Sequence, residues 1–180
     1  MDRDADRNKD KMSTSLAENM QYLNERLAVD ESFDLVYRVI QVGGREACIY
    51  FIDGFCKDEM MQKMLQYFMG LTKEEMPKDA HEMSKKSIPY VEVDLLDNWE
   101  QIVYFIMSGV FALFIEGFDR CLLIDSRTYP ARSVSEPEKD KALRGSKDGF
   151  VETVVFNTAL IRRRIRSTHL RMELFHAGNS

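Results

Sequence analysis

The chain has few of the residues that build disulfide frameworks and metal sites. Its 180 residues include only three cysteines, three histidines and four prolines. The cysteines, Cys48, Cys56 and Cys121, form no CxxC pair and lie in or beside apolar runs, which is typical of buried, reduced thiols. The histidines have neither the HExxH spacing nor a two-histidine helical spacing. We therefore expect no metal, no Cys–His catalytic site and no cofactor.

A long hydrophobic run is also missing. The longest, over residues 102–115, is broken by Ser108 and Gly109, whereas a membrane-spanning helix needs about twenty apolar residues. The first residues, MDRDADRNKDK, are highly charged and have no apolar stretch behind them, unlike a secretory signal. The sequence predicts a flexible tail over residues 1–14 and one domain over residues 15–180, with no membrane-spanning segment.

The composition is that of a folded, water-soluble domain. Hydrophobic residues make up 44% of the chain and charged residues 31%, which argues against disorder and against a coiled coil. The net charge of -5 provides no general attraction to nucleic acid or to anionic lipid. We expect no nucleic-acid partner.

Apolar periodicity predicts the secondary structure. The element order indicates an α/β fold, a mixed β-sheet of about five to six strands covered by helices. Gly43 and Gly44 suit a two-residue hairpin turn, and Asn98 suits a helix N-cap. The predicted strands are 33–42, 46–53, 90–95, 110–115, 121–124 and 170–175, and the predicted helices are 15–28, 58–71, 137–144 and two that begin at Asn98 and Asp148.

Two of these helices carry apolar stripes. A methionine-rich stripe on the 58–71 helix, which includes Met60, Met61, Met64 and Met69, favours core packing, with a plastic partner-binding surface as the alternative. On the helix that begins at Asp148, we expect the apolar positions to be Val151, Val154, Val155, Thr158, Ile161 and Ile165.

The densest basic cluster is formed by Arg162, Arg163, Arg164 and Arg166. Because arginine forms fork-like pairs with carboxylates, the cluster favours ion pairs over phosphate or nucleic-acid contact. The candidate partners are Glu136, Glu138, Asp148 and Glu152. Nearby, the stretch RGSKDG lacks the GxxxxGK[ST] spacing of a nucleotide loop and fits a helix end followed by a helix start.

Carboxylates at predicted strand ends leave an enzymatic alternative open. Asp94, Asp97, Glu116, Asp119 and Asp125 each have the chemistry of a general acid or base. Acids at strand ends more often form turns or ion pairs. The residues therefore favour a non-enzymatic protein.

A block of acidic, basic, glycine and proline residues has the order YPARSVSEPEKDKALRGSKDGFVETVVFNTALIRRRIR, over residues 129–166. It resembles the signature of the GerA family of bacterial spore germination membrane proteins, with a likeness from about Ser32 to Phe175. The runs TYPARS, RGSKDGFVET and FNTALIRRRIR look more like the sporulation AF branch of that family than like its nutrient receptor A subunits. The motif and interaction positions are Arg132, Glu136, Pro137, Arg144, Gly145, Asp148, Gly149, Phe150, Glu152, Asn157, Arg162, Arg163, Arg171 and Glu173.

The resemblance implies the soluble N-terminal part of a larger spore inner-membrane protein, lying on the cytoplasmic, spore-core side. It implies a non-enzymatic role in germination and ion release, with other subunits of a membrane complex as partners and membrane attachment through a C-terminal region absent here. The arginines and acids of the block suit a charge-paired joint between subdomains or subunits. Two alternatives stay open: a domain that senses a small-molecule nutrient in a receptor A subunit, and an enzyme that uses the strand-end carboxylates.

Overall fold

The computed structural model describes residues 10–86, 92–127, 149–175 and 177–178. Its helices and strands are interspersed along the chain, which confirms the predicted α/β class. In chain order they are α1 (Leu16–Leu27), a 3-10 turn (Val29–Glu31), β1 (Leu35–Val42), β2 (Arg45–Ile52), α2 (Asp58–Gly70), α3 (Ala80–Lys86), β3 (Glu92–Leu96), α4 (Trp99–Met107), β4 (Phe111–Ile115), β5 (Cys121–Asp125) and α5 (Val154–Arg164).

The described strands form one five-stranded sheet with the order β1-β2-β4-β5-β3. Gly43 and Gly44 link β1 to β2 with φ of 56° and 77°, the positive values that a tight hairpin turn requires, so the predicted hairpin is confirmed. Every pairing between these strands is antiparallel, whereas the sequence analysis expected a mixed sheet. Strands β3 and β4, which α4 connects along the chain, run in the same direction. They do not pair with each other, because β5 lies between them in the sheet and is antiparallel to both.

Helices cover both faces of the sheet. On one face α1 and α4 pack over a core cluster that includes Leu23, Ile102 and Phe114. On the other face α2 and α3 pack over a second cluster, which includes Phe68 and Leu113. Strand β4 is buried at every position and supplies alternate residues to the two clusters, as expected for a central strand that is apolar on both faces.

The methionine stripe on α2 is only partly in the core. Met64 and Phe68 are buried, and Met60 and Met61 pack against the same cluster while remaining half-buried. Met69 points away and is 53% exposed, so its assignment to the core stripe was wrong. Met69 directly follows the buried Phe68, and one residue turns a helix by about 100°, so the Met69 side chain leaves the core-facing side.

The chain immediately before α1 is attached to the folded body. Trp99 N donates to Asp10 O at 2.9 Å and Met12 N donates to Asp97 O at 2.8 Å. Lys11 forms a β-bridge with Asn98, and Met12 is buried. Residues 10–12 of the predicted tail therefore pack on the body, while residues 1–9 lie outside the described part of the chain.

Two elements near the C-terminal end differ from expectation. Helix α5 begins at Val154 rather than Asp148, because the Asn157 side chain bonds both the N–H and the carbonyl of Val151 and holds that residue outside the helix. Residues 170–175 form no strand, because Met172 binds the chain before β1 rather than a sheet edge. The predicted 137–144 helix lies outside the described residues. No helix in the described ranges has the length and apolar character needed to cross a membrane.

Candidate functional site

Arg162, on the last turn of α5, is completely buried. Its guanidinium meets the Asp34 carboxylate side-on, with Nε 2.7 Å from Oδ2 and Nη2 2.8 Å from Oδ1. Nη2 also donates to Ser32 Oγ at 3.1 Å, and Nη1 donates to the carbonyls of Ser167 and Leu170 at 3.2 and 3.1 Å. A buried charge is tolerated when it is both paired and hydrogen-bonded, and these five bonds provide both conditions.

Ser32 extends this network to a second segment. Its Oγ donates to Asp34 Oδ1 at 2.8 Å and accepts from Met172 N at 3.0 Å, while Phe33 N donates to Met172 O at 3.0 Å. We call Arg162, Asp34 and Ser32 the arginine clamp. The clamp fixes α5 and the chain that follows it to the start of β1.

The clamp corrects the predicted role of Arg162. The expected partners were Glu136, Glu138, Asp148 and Glu152, but the partner is Asp34, which is 128 residues away in the sequence. Glu152 is exposed, and the other three expected partners lie outside the described residues. Because Arg162 is sealed inside the domain, it presents no charge to a phosphate or to a partner subunit.

The other motif residues that the structure describes have separate local roles. Asn157 braces the turn before α5, and Arg171 pairs with Glu31 at 2.9 Å and donates to Thr168 O. Gly149 is half-buried, while Phe150, Glu152, Arg163 and Glu173 are exposed. Arg132, Glu136, Pro137, Arg144, Gly145 and Asp148 lie outside the described part of the chain.

Helix α5 packs closely on the loop after β2. Gly54 has a φ of 83°, and a Cβ added to it would lie 3.0 Å from Val155 Cγ1 and 3.2 Å from Ala159 Cβ. Glycine therefore permits both the left-handed backbone and the close approach of the helix. The buried side of α5 is formed by Ala159 and Arg162, with Val155 beside them.

Several large apolar side chains of α5 and its flanks point outwards instead. Val154 is 54% exposed and Ile165 is 48% exposed, so their assignment to a core-facing stripe was wrong. Arg162 takes the core side because Asp34 offers it a buried partner. We define the C-terminal apolar surface as the exposed large apolar side chains between residues 149 and 175, namely Phe150, Val154, Phe156, Ile165, Leu174 and Phe175.

Three of the five strand-end carboxylates have structural partners. Lys11 lies 2.8 Å from Asp97 and lowers the pKa of that carboxyl, and the hydrogen bond from the Arg127 guanidinium lowers the pKa of Asp125. Glu116 Oε2 accepts from Leu16 N at 2.7 Å at the start of α1. Asp94 and Asp119 are exposed. Within the described ranges, no three or more His, Cys, Asp and Glu side chains are grouped to hold a metal ion.

Comparison with known proteins identifies the class. Residues 21–180 match the family model described as Bacillus/Clostridium GerA spore germination protein, and the chain belongs to this family. Stage V sporulation protein AF of Bacillus subtilis (strain 168) is 29% identical over 163 residues, which cover 90% of this chain and 33% of that protein. The uncharacterized membrane protein YfkQ of the same organism is 30% identical over 171 residues, which cover 93% of this chain and 32% of that protein.

A solved structure has the same fold. It is the crystal structure of the N-terminal domain of the A subunit of the Bacillus megaterium spore germinant receptor GerK3. The TM-score is 0.67 at 23% identity, over 91% of this chain and 59% of that chain. The resemblance to the GerA family and its sporulation AF branch is thus confirmed. The chain spans about a third of the length of the curated relatives that it matches.

Proposed function

We propose that this chain is a non-enzymatic interaction domain of a spore germination membrane protein, which docks onto another part of its complex through the C-terminal apolar surface. The observation that carries the proposal is the concentration of exposed apolar side chains in this one stretch of the sequence. Six of the twelve exposed large hydrophobic side chains among the described residues lie between residues 149 and 175. Clustered exposed apolar residues are typical of protein–protein contact sites, whereas single ones are ordinary.

The arginine clamp makes this surface suitable for docking. A surface that is rigid before binding loses less conformational entropy when a partner arrives. The clamp and the Gly54 contact hold α5 from its inner side, so its outer apolar side chains keep a fixed arrangement.

The relatives support a membrane setting. One of them is named a membrane protein, and each matches this chain over about a third of its own length. We place the membrane attachment in the remaining two thirds of such a protein and this domain on its cytoplasmic, spore-core side. Ion release during germination is the process in which we expect the complex to act.

A non-enzymatic role agrees with the chemistry of the strand-end acids. Asp97 and Asp125 have lowered pKa values because of their basic neighbours, and a general acid needs the opposite shift. Glu116 is occupied by a backbone N–H of α1. These carboxylates maintain the fold, so the enzymatic alternative has no support from their geometry.

The test is to place Val154→Asp with Phe156→Asp in the full-length protein and to follow complex assembly and germination rate in spores. Both positions lie in the first turn of α5, where a negative charge favours the helix, so the fold should be retained. The matched control is Val39→Asp with Met69→Asp, whose side chains are exposed to a similar degree, 47% and 53%. We expect assembly and germination to fail only with the α5 pair. Normal assembly and germination with that pair would contradict the proposal.

A second candidate, a small-molecule sensor, is favoured by the likeness to the N-terminal domain of a germinant receptor A subunit. A ligand that binds only the folded state raises the melting temperature. Thermal shift with amino acids, sugars and nucleotides separates the two functions. A saturable shift with one compound would favour the sensor, and an unchanged melting temperature with all of them would favour the docking domain.

A further inference from the structure

A second surface of the domain, independent of the C-terminal apolar surface, lies at the opposite edge of the sheet from β1. There a groove of about 530 Å³ runs between strand β3 and helix α4. Its lining residues are Asp94, Leu96, Glu100, Gln101, Tyr104 and Phe105. We call this the β3 groove.

The β3 groove combines apolar and acidic chemistry. Leu96 and Phe105 are half-buried, and Tyr104 exposes 57% of its surface. Asp94 and Glu100 add two exposed carboxylates, and no basic side chain from the described residues pairs with either. A cationic group that also offers apolar surface would complement this lining, and lysine and arginine side chains have both properties.

Among the described residues, strand β3 is also an edge strand of the sheet. Among the described strands it pairs with β5 and with no other strand. Such an edge is a template for an added strand from another polypeptide. Glu92, Asp94 and Leu96 alternate along β3, so they share one face of the strand and would lie beside alternate side chains of an added strand.

The chain already uses this mode of recognition just beyond β3. Lys11 forms an antiparallel β-bridge with Asn98, and its Nζ lies 2.8 Å from Asp97 Oδ2. An extended backbone and a lysine on a carboxylate are thus recognised together immediately after Leu96.

We propose that the β3 groove binds an extended, lysine- or arginine-bearing segment of a partner protein as an added strand. A second copy of this chain is a poorer fit, because pairing two β3 edges would bring the carboxylates of Glu92 and Asp94 from both copies together. A small molecule would use the groove but leave the backbone edge without a partner. The chemistry of both the edge and the groove is satisfied by a basic peptide strand.

The test uses the full chain and a fluorescein-labelled peptide of alternating lysine and valine, with an alternating glutamate and valine peptide as the comparison. Fluorescence anisotropy measures affinity, and hydrogen exchange of the backbone amides locates the binding. We expect saturable binding of the basic peptide only, weakened by salt, with new protection of the amides of β3. Asp94→Asn with Glu100→Gln should weaken binding at least tenfold, and Tyr104→Ala should weaken it severalfold.

A matched control removes the same charges elsewhere. Asp30→Asn with Glu74→Gln changes two exposed acids outside the groove and should leave affinity unchanged. The proposal would be overturned if the basic peptide did not bind, or if the protected amides lay away from β3. It would also be overturned if both pairs of substitutions weakened binding equally, or if neither pair changed the affinity. Failure here would leave the C-terminal apolar surface untouched, since that surface is tested by different substitutions.

Discussion

At the scale of single residues, the buried pairing of Arg162 with Asp34 is the most consequential feature. An arginine without its partner in this position would be an uncompensated charge in the interior, which costs several kcal/mol. Here both carboxylate oxygens, a hydroxyl and two carbonyls satisfy the guanidinium. The pair therefore specifies where α5 sits more than it adds to stability.

This interpretation predicts a strongly non-additive mutation cycle. Arg162→Met alone or Asp34→Leu alone should destabilise the domain by about 3–5 kcal/mol, because each leaves one buried charge without its partner. The double substitution should destabilise it less than the sum of the two. Urea unfolding of the four proteins measures the coupling. Two losses that simply add would mean that the pair is not coupled and that the clamp does not exist in solution.

The buried cysteines give a second prediction at this scale. Burial raises the pKa of the Cys48 thiol from its ordinary value of 9.0 to about 12 and raises that of Cys121 as well. At pH 8 the raised pKa keeps the Cys48 thiol protonated, so its reactive thiolate is on the order of 1,000-fold less populated than in an unfolded chain.

Native protein treated with iodoacetamide at pH 8 should therefore be alkylated slowly, and first at Cys56, which is half-buried. Denaturant should make all three cysteines react. Mass spectrometry of tryptic peptides identifies the modified residue. Rapid labelling of Cys48 or Cys121 in the native protein would contradict their burial.

Short-range features could be predicted from the sequence and the clamp could not. Gly43 and Gly44 form the expected hairpin turn, and Asn98 Oδ1 accepts from Gln101 N at 3.1 Å as the expected helix cap. Each of these depends on neighbours within three residues. The partner of Arg162 is chosen by the packing of α5 against the loop after β2 and the segment before β1, which no local pattern records.

At the scale of elements, α2 carries both a core face and an exposed face on adjacent turns. Met64 is 6% exposed and Met69 is 53% exposed, although both are methionines of the same helix. The same substitution at Met64 and at Met69 therefore tests the effect of burial with the residue type held constant.

Met64→Asp should unfold the domain or destabilise it by several kcal/mol, because it buries an unpaired charge in the cluster under α2. Met69→Asp should stay within about 1 kcal/mol of the unsubstituted protein, since its side chain is already in solvent. Thermal and urea unfolding measure both. A folded Met64→Asp protein of normal stability would move the α2 stripe from the core to an interface.

The buried face of helix α5 could not be predicted from its apolar pattern. Apolar residues at Val154, Ile161 and Ile165 recur at helical spacing, and such a stripe normally faces the core of its own domain. In this chain the core side is taken by Ala159 and Arg162, Ile161 is half-buried, and Val154 and Ile165 are left at the surface. Apolar periodicity indicates that one face of a helix is covered by other residues, but it does not indicate whether those residues belong to the same domain.

At the scale of the whole molecule, the sheet and its two helical layers form a support with distinct surfaces. The C-terminal apolar surface is anchored to β1 through the arginine clamp, and the β3 groove lies at the other edge of the sheet. The chain belongs to the GerA spore germination family and spans about a third of the length of the first relatives that it matches. We propose that the C-terminal apolar surface is covered by another part of the assembled complex.

Site-specific photo-cross-linking in spore membranes tests that claim most directly. A photoreactive amino acid would replace Phe156 or Ile165 of the full-length protein, and Met69, which is exposed to a similar degree, would be replaced as the control. We predict that the α5 positions form defined cross-links, either to a partner subunit or within the protein to a segment outside residues 10–178, and that Met69 forms none. Cross-linking at Met69 with none at Phe156 and Ile165, or no cross-link at any of the three, would contradict the account.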